Sequence, residues 1–535
     1  MLYDNDLLSI QEVREMMKRA RQAQKDLQQY SQKQIDAIVK SITDVCVENA
    51  EKLAKMAVEE TGFGIWQDKV LKNMLGSKIV YESIKDLKTV GILRDDKEKK
   101  IMEIAVPVGI IAALIPSTNP TSTSMFKSII SIKSGNAIII SPHPNAKKCI
   151  METVKLMQDA AKKAGAPENI IQCIERATVD ATNELMKHKD TDLILATGGS
   201  AMVKAAYSSG NPAIGVGAGN GPAYIEASAN IKLAVKRIFD SKTFDNGTIC
   251  ASEQSVVTET SIKDGVISEM MAQGAYFLDQ EQSNKVAKIL MRANNTMNPA
   301  IVGKSTEFVA KLAGIQIPKG TRVLVSMQTE VSPRNPYSRE KLCPVLGFYV
   351  EENWEKACHK CIEILENEGE GHTMTIHSEN QKVITEFALK KPVGRLLVNT
   401  PAALGGVGVT TNLVPSLTLG CGSMGGSSTF DNVGPLNLIN IKRVAYGVKE
   451  LEDIGGGKKP LDSAGSANAV KYTGEAVREI KPAASAVTPA AKTIPEAIAK
   501  SAVKSVPEDF TAEDIERITK EVLQNILKSH TKYVQ

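Results

Sequence analysis

One cysteine of this chain lies in a segment whose residue types suit covalent chemistry. Cys250 belongs to FDNGTICASEQS, residues 244–255, a polar, turn-rich run in which the cysteine is set among small residues. A cysteine in such a run is either one more structural thiol among the eight of the chain or a nucleophile that adds to a carbonyl carbon. The residues that accompany it decide between these two interpretations.

Polar side chains follow an apolar run in LIPSTNPTSTSMF, residues 114–126. The pattern predicts a strand, a turn bounded by prolines, and a helix, with Ser117, Thr118 and Asn119 at the carboxyl end of the strand. Ligands of open parallel sheets gather at such ends. A turn that only caps the following helix would have a similar sequence, so this segment alone is a weak indication of a site.

Three further segments are rich in glycine. LATGGSAMVKAAY, residues 195–207, is typical of a strand, a Gly-Gly-Ser turn and a helix, whose free N–H groups suit a cofactor phosphate as well as they suit a simple turn. AIGVGAGNGPAYI, residues 213–225, has four glycines within seven residues, a density that permits close approach of the backbone to a ligand or to another strand. Residues 405–435 form a glycine-rich stretch too long for one turn.

The elements that must position these segments are those of an α/β protein. Residues 1 to about 90 have apolar residues three and four apart, which predicts amphipathic helices. From about residue 101 to 454, near-continuous apolar strands alternate with helices, which predicts parallel sheets covered on both faces, two in number. The strand candidates are residues 108–115, 136–141, 192–196, 322–327, 346–350 and 395–399.

Composition excludes several classes of function. The 535 residues are 42% apolar with a net charge of +4, too small and dispersed for a nucleic-acid-binding surface. No apolar run approaches the ~20 residues of a membrane span, and the first residues lack the pattern of a signal peptide.

The scattered cysteines are expected to be reduced. Cys358 and Cys361 have C-x-x-C spacing, but they fall inside a helical pattern without further zinc ligands, so we expect no special role.

The sequence changes character after residue 454. Residues 455–509 are rich in Ala, Pro, Ser and Lys and contain a single aromatic, so we expect a flexible linker. Residues 510–535 have a helix-capping sequence and an apolar stripe, which predicts an amphipathic helix. A short helix on a long tether favours a docking peptide. The alternative is that it folds back on its own body.

Taken together, these segments and their order resemble the aldehyde dehydrogenase superfamily, and within it the coenzyme-A-acylating branch, over roughly residues 7–454. The resemblance rests on FDNGTICASEQS, IPSTNP, EKLCPV (340–345), EGHTMTIHS (370–378) and PSLTLGCGSMGG (415–426). It implies a Rossmann-type cofactor domain at residues 1–225, with the N-terminal helices and completed by 410–454, and an α/β catalytic domain at residues 226–409.

The resemblance also implies roles for individual residues. Cys250 would be the nucleophile, and Asn119 would donate a side-chain N–H to the oxyanion, so these two are the expected catalytic residues. The Gly-Gly-Ser turn would lie near the cofactor pyrophosphate, and Glu340 would bind the nicotinamide ribose. The expected cofactor-binding residues are Ser117, Thr118, Ser141, His143, Thr197, Gly198, Gly199, Ser200, Gly217 and Glu340, and we expect no metal ligands.

The sequence departs from the hydrolytic members of the superfamily at positions that indicate which reaction to expect. Val216, 34 residues before Cys250, stands where those members have a glutamate that activates water. Valine cannot act as a base, so a thioester on Cys250 should pass to a second thiol, coenzyme A. The lysine that usually holds the adenosine ribose is replaced in IISPHP, which has Ser141 and His143, so the dinucleotide pocket is altered. We expect NAD, with NADP as the alternative.

The expected function is therefore the oxidation of a short aldehyde, acetaldehyde or propionaldehyde, with NAD and coenzyme A to acyl-CoA. The alternatives are hydrolytic oxidation to the free acid and a non-catalytic scaffold, and we expect no second, alcohol-dehydrogenase body after residue 454. His372 either assists coenzyme A or makes a structural hydrogen bond. The family resemblance implies a homo-oligomer (dimer or tetramer). The C-terminal tether and helix resemble the encapsulation peptides of microcompartment cargo enzymes, so we expect a cytoplasmic protein inside a bacterial microcompartment. Its residues 510–535 would bind shell or cargo proteins, and neither nucleic acid nor membrane is an expected partner.

Overall fold

The chain begins with helices, as the apolar spacing predicts. The computed structural model describes residues 4–454, and those up to Glu450 belong to one compact unit. Ser31 starts the second helix with a reciprocal capping box to Gln34. The segment 31–61 divides into two helices at Asn49, which ends one and begins the next. The N-terminal helices are α1 (Asn5–Leu27), α2 (Gln32–Glu48), α3 (Ala50–Thr61), α4 (Trp66–Met74) and α5 (Val80–Ile84), with a π-helical turn at Leu75–Ile79.

A five-stranded parallel sheet has the strand order β5-β4-β3-β6-β7. Its strands are β3 (Ile110–Ile115), β4 (Ala137–Pro142), β5 (Ile171–Cys173), β6 (Leu193–Thr197) and β7 (Ala213–Val216). Helices α6 (Pro120–Lys133), α7 (Lys147–Lys163), α8 (Val179–Lys187) and α9 (Ser200–Tyr207) connect them. Every residue of β3 and β4 is buried, which explains why their sequences are apolar throughout.

A second parallel sheet has seven strands in the order β10-β11-β12-β9-β8-β13-β14. Its strands are β8 (Pro222–Ile225), β9 (Ser255–Glu259), β10 (Ala275–Phe277), β11 (Val323–Met327), β12 (Val345–Glu351), β13 (Gly371–His377) and β14 (Val393–Val398). The helices of this region are α10 (Ile231–Thr243), α11 (Lys263–Ala272), α12 (Gln280–Leu290), α13 (Thr306–Ala313), α14 (Trp354–Asn367), α15 (Gln381–Lys390) and α16 (Ala402–Gly406). Alternate residues of β8 enter different cores: Ala223 and Ile225 pack with α10, and Tyr224 packs with α14 and α15. The expected α/β architecture with parallel sheets is confirmed.

A third sheet was not expected from the sequence. It is antiparallel and joins β1 (Gly91–Asp96), β2 (Ile101–Pro107) and β15 (Ile439–Ala445). Six of the seven residues of β15 are exposed, so its sequence has neither an apolar run nor a buried face. Strand β15 therefore returns to the N-terminal half of the chain.

The change from the five-stranded to the seven-stranded sheet falls between Val216 and Pro222. The expected cofactor domain at residues 1–225 thus includes β8, which the structure pairs with β9 and β13. The division into domains stays a prediction. The expected linker (455–509) and docking helix (510–535) lie outside the described residues. Within residues 4–454 no helix has the length and apolarity that a membrane crossing requires.

Candidate active site

Cys250 follows a turn of unusual backbone conformation and precedes β9, in the middle of the seven-stranded sheet. Three consecutive residues of this turn, Asp245, Asn246 and Gly247, have φ of 50°, 51° and 80°. Left-handed conformations are uncommon for residues other than glycine and concentrate at functional sites. The cysteine itself is half-buried.

Gly219 lies directly against the Cys250 segment. A Cβ atom on Gly219 would stand 1.9 Å from the carbonyl oxygen of Cys250, so no other residue fits there. The backbone N–H of Gly219 donates to Oε1 of Glu340 at 2.9 Å. The glycine-dense segment thus approaches the backbone of the nucleophile segment closely, and it brings the Glu340 carboxylate to that segment.

Burial dominates the electrostatics of Cys250. Burial, followed by the charge of Glu340 and the Cys421 thiol, raises the pKa of the Cys250 thiol to about 12, and the Arg395 guanidinium opposes this shift. Burial also raises the pKa of Glu340 to about 8, with a contribution from Glu368, whose carboxylate accepts the Glu340 backbone N–H at 2.7 Å. At neutral pH both groups are therefore mostly protonated in the absence of ligands.

Asn119 is the second expected catalytic residue, and the structure links it to the nucleophile segment. It occupies the N-cap position of α6, but its side chain makes no capping hydrogen bond. Instead Nδ2 donates to the carbonyl of Thr248 at 3.1 Å and to Oγ1 of Thr118 at 3.3 Å. Oδ1 accepts from Nζ of Lys72 at 2.7 Å. The amide thus donates to a residue only two positions before Cys250, so its Nδ2 faces the nucleophile segment.

The turn between β6 and α9 has the expected form for a cofactor phosphate. Thr197 ends the strand, Gly198 and Gly199 form the turn, and α9 begins at Ser200. A Cβ atom on Gly199 would meet no atom within 4 Å, so the backbone here faces open space. The N–H groups at the start of α9 fit a pyrophosphate.

Other expected cofactor-binding residues lie at the carboxyl ends of neighbouring strands. Ser117 and Thr118 follow β3, beside β6, and Ser141 lies near the end of β4, where its Oγ is 2.9 Å from Oγ1 of Thr182. Nδ1 of His143 accepts the backbone N–H of Asn145 at 3.1 Å. Side chains of Ser141 and His143 are therefore engaged locally.

Gly217 follows β7 and belongs to the nucleophile side. Its backbone N–H donates a hydrogen bond to the Cys421 thiol. Burial raises the pKa of this thiol to about 11, and the hydrogen bond from Gly217 opposes the shift. The structure thus brings together two groups of predicted residues: Cys250, Asn119, Glu340 and Gly217 around the nucleophile, and Ser117, Thr118, Ser141, His143, Thr197, Gly198, Gly199 and Ser200 along the edge of the five-stranded sheet.

Comparison with known proteins identifies the family. A model described as the aldehyde dehydrogenase family matches residues 5–411. The chain belongs to this family. The family expected from the sequence motifs is therefore confirmed, and the matched range includes Asn119, Cys250 and Glu340.

Two curated relatives each match most of this chain. It is 44% identical over 442 residues to the bifunctional aldehyde-alcohol dehydrogenase of Escherichia coli K12, a match that covers 82% of this chain and 50% of the relative. The chain thus spans about half the length of the first curated relatives it matches. It is 40% identical to the succinate-semialdehyde dehydrogenase (acetylating) of Clostridium kluyveri, covering 82% of this chain and 97% of the relative.

Solved structures of similar proteins include three informative examples. A probable aldehyde dehydrogenase from Listeria monocytogenes is 62% identical, with a TM-score of 0.84 and coverage of 84% of this chain and 100% of that chain. A propionaldehyde dehydrogenase from the fucose-utilisation bacterial microcompartment of Clostridium phytofermentans is 28% identical (TM-score 0.74; coverage 81% and 97%). One from Rhodopseudomonas palustris, with bound coenzyme A and an acylated cysteine, is 26% identical (TM-score 0.73; coverage 81% and 97%).

Sequence reasoning missed a buried cation of this aldehyde dehydrogenase. All five N–H groups of the Arg395 guanidinium donate to neutral oxygen atoms, those of Thr373 Oγ1, Phe430 O, Asn432 Oδ1, His372 O and Gly420 O, at 2.7–3.3 Å. Its positive charge therefore acts on Cys250 and Cys421 without a carboxylate among these partners. The one available signal was an arginine inside the apolar strand RLLVN.

His372 is fully buried beside this arginine. Its Nδ1 lies 3.0 Å from Oγ1 of Thr373, and Nε2 has no hydrogen-bond partner among the described residues. Burial, then the charge of Arg395, lower its pKa to about 3, so the ring is neutral. The structural hydrogen bond expected as one alternative is present, and the role toward coenzyme A stays a prediction.

Cys358 and Cys361 lie inside α14, as the helical pattern predicts. Both are buried, and Nζ of Lys391 is 2.6 Å from Sγ of Cys358. Within residues 4–454 no three His, Cys, Asp or Glu side chains form a group that could hold a metal ion.

Proposed function

We propose that this aldehyde dehydrogenase oxidises a short aldehyde with NAD and transfers the acyl group from Cys250 to coenzyme A. Acetaldehyde and propionaldehyde are the proposed substrates. The observation that carries the proposal is the hydrogen bond between the Asn119 amide and the carbonyl of Thr248, two residues before Cys250. It sets an oxyanion donor and a sulfur nucleophile on adjoining segments, the pair that addition to a carbonyl requires.

The reaction begins at the sulfur of Cys250. Its lone pair forms a bond to the aldehyde carbon, the carbonyl π pair moves to oxygen, and the Asn119 N–H donates to that oxygen. The thiol loses its proton to solvent before this addition, and the guanidinium of Arg395 favours the resulting thiolate, which burial otherwise disfavours. Loss of hydride from the adduct leaves a thioester on Cys250.

The residues present fit a nicotinamide dinucleotide. The turn at Gly198 and Gly199, which is open beside Gly199, would hold the pyrophosphate, and the Glu340 carboxylate would bind the nicotinamide ribose. Ser117, Thr118, Ser141 and His143 would line the same edge of the sheet. When bound, the cofactor supplies the hydride acceptor.

Coenzyme A is the proposed acyl acceptor because Val216 offers no base for water. Its side chain is buried at the end of β7, where hydrolytic members of the family would have a glutamate. The names of the relatives support the same choice, since one is an acetylating dehydrogenase and another holds coenzyme A with an acylated cysteine.

The test of this proposal is product identification. The full chain is assayed for NADH formation with acetaldehyde and propionaldehyde, with and without coenzyme A, and acyl-CoA is measured by mass spectrometry. We expect acyl-CoA in amounts equal to NADH, sustained turnover only with coenzyme A, and no activity in Cys250→Ala. Sustained NADH formation without coenzyme A would instead indicate the hydrolytic reaction, and an inactive wild-type chain would favour a scaffold.

We further propose that the enzyme is a homo-oligomeric microcompartment cargo protein and that residues 510–535 are its docking peptide. The apolar stripe in the sequence of this segment supports the proposal, as does the microcompartment origin of one structural relative. Deletion of residues 505–535 should leave turnover in solution unchanged and abolish co-sedimentation with shells. Targeting that survives the deletion would refute the docking role.

A further inference from the structure

Two lysines of α4 bind one buried carboxylate next to the nucleophile segment. Lys69 and Lys72 are each 2% exposed, and being three residues apart they point from the same face of the helix. Nζ of Lys69 lies 2.9 Å from Oδ2 of Asp245, and Nζ of Lys72 contacts the same oxygen atom. Charges this deeply buried need partners, and each lysine here shares the charge of Asp245.

Only one of the two lysines reaches the oxyanion residue. Lys72 donates to Oδ1 of Asn119 at 2.7 Å and to Oγ1 of Thr248 at 2.9 Å. Lys69 donates instead to the backbone carbonyl of Thr118, at 2.9 Å. The two side chains thus have the same carboxylate in common and differ in whether they touch the amide.

The contact with Lys72 decides which way the Asn119 amide faces. A lysine ammonium is a donor only, so the amide can bind it only through its oxygen, and the ammonium would repel the amide N–H groups. With Oδ1 held by Lys72, Nδ2 must face Thr248 and the Cys250 segment. Its present bonds, at 3.1 and 3.3 Å, are long, and a charged oxygen of the substrate is a stronger acceptor than either.

The same carboxylate holds the turn that carries the nucleophile. Oδ1 of Asp245 accepts the backbone N–H of Ile65 at 2.7 Å, and Oδ2 accepts the hydroxyl of Thr248 at 2.6 Å. A Cβ on Gly64 would lie 1.8 Å from Oδ1, so a glycine there makes room for the carboxylate. Because Asp245 is itself left-handed, these bonds hold a conformation that the backbone alone disfavours.

We propose that Lys72 is a positioning residue, which, anchored by Asp245, fixes the Asn119 amide in the orientation that donates to the oxyanion. The inference rests on the proposed function, since it assigns the orientation of a donor in that reaction. Asp245 links the oxyanion residue to the nucleophile segment. Its carboxylate holds Lys72 beside the Asn119 amide, and its backbone forms part of the turn before Cys250.

The test compares Lys72→Met with Lys69→Met, which removes the same charge from the same carboxylate but spares Asn119. The full-length variants are measured for the rate of the first turnover of NADH with aldehyde and NAD, for melting temperature, and for alkylation of Cys250 by iodoacetamide. We expect similar losses of melting temperature and unchanged alkylation. The first-turnover rate should fall about 100-fold in K72M, the usual effect of losing an oxyanion donor, and several-fold at most in K69M.

A double-mutant cycle with Asn119→Ala gives the decisive comparison. If Lys72 acts through the amide, K72M in the N119A background should slow the first turnover no further. Equal slowing in K72M and K69M, or slowing by K72M that multiplies with that of N119A, would overturn the proposal. Should K72M not fold, K72R and K69R give the same comparison with the charge retained. Wild-type enzyme that forms NADH but no acyl-CoA refutes the acyl transfer alone, and the variants still decide the role of Lys72.

Discussion

The carboxylate of Glu340 accepts the backbone N–H of Gly219 at 2.9 Å, and Gly219 packs against the carbonyl of Cys250. One glycine therefore couples the expected ribose-binding residue to the nucleophile segment. A change in the charge of Glu340 therefore changes the pKa of the Cys250 thiol.

Replacement of Glu340 by Gln should make Cys250 more reactive in alkaline solution. The Glu340 charge raises the pKa of the thiol, and this charge develops only above the Glu340 pKa of about 8. Alkylation of E340Q by iodoacetamide should therefore match wild type at pH 6 and exceed it about 3–10-fold at pH 9, since one pKa unit is tenfold in thiolate. The exposed Glu330→Gln is the matched control, and equal rates at pH 9 would contradict the prediction.

Glu253 should make the folded protein less stable as the pH rises. Burial raises its pKa to about 7, although the Ser241 hydroxyl and the backbone N–H of Ala402, which donates to Oε1 at 2.9 Å, favour the charged form. Its contribution to the free energy of unfolding is present below pH 4.5 and lost as the pH rises to 7. In Glu253→Gln, denaturant unfolding at pH 5 and 8 should show this decrease reduced by on the order of 2 kcal/mol. An unchanged decrease, with exposed Glu59→Gln as the reference, would disprove it.

Gly219→Ala should damage catalysis by displacing the nucleophile. The new methyl group would lie 1.9 Å from the Cys250 carbonyl oxygen, so the segment must move. Misplacement of a catalytic group by about 1 Å costs on the order of 100-fold in rate, and overpacking costs about 1–3 kcal/mol of stability. Steady-state kinetics and thermal melting measure both effects. Gly447→Ala, where a Cβ meets nothing within 4 Å, is the control that should match wild type.

Val216→Glu should divert the reaction toward hydrolysis. A carboxylate at the end of β7 would stand where the sequence resemblance places the base of hydrolytic members, and a positioned base contributes about 100-fold or more. We expect NADH formation without coenzyme A to rise at least tenfold over wild type. Val216→Gln, similar in size but not a base, separates this effect from mere disturbance of a buried site. Equal rates in the two variants would exclude base catalysis from residue 216.

Much of the fold could be predicted because buried parallel strands are apolar throughout. Residues 136–141 predict β4 within one residue at each end, since both faces of that strand are covered. The antiparallel sheet could not be found this way. Strand β15 exposes Asn440 through Ala445, and its pairing with β2 depends on a segment more than 300 residues earlier in the chain.

Residues of the candidate site could be predicted where they belong to sequence motifs. They could not be predicted where their role depends on burial against distant parts of the chain. Cys250, Asn119 and Glu340 stand in recognisable segments. Lys72 stands in a short helix with charges three and four residues apart, a pattern that ordinarily indicates a solvent-exposed face. Its burial depends on Asp245, which is 173 residues away in the sequence, so no local pattern reports it.

The protonated state of Cys250 bears on how the enzyme survives when it is idle. Peroxide and related oxidants attack the thiolate far more readily than the thiol, and they convert it first to sulfenic acid and then to irreversible products. A half-buried cysteine whose pKa is raised to about 12 presents almost no thiolate to such oxidants. We therefore expect oxidants to react slowly with the resting protein and faster with Cys250 once its thiolate has formed.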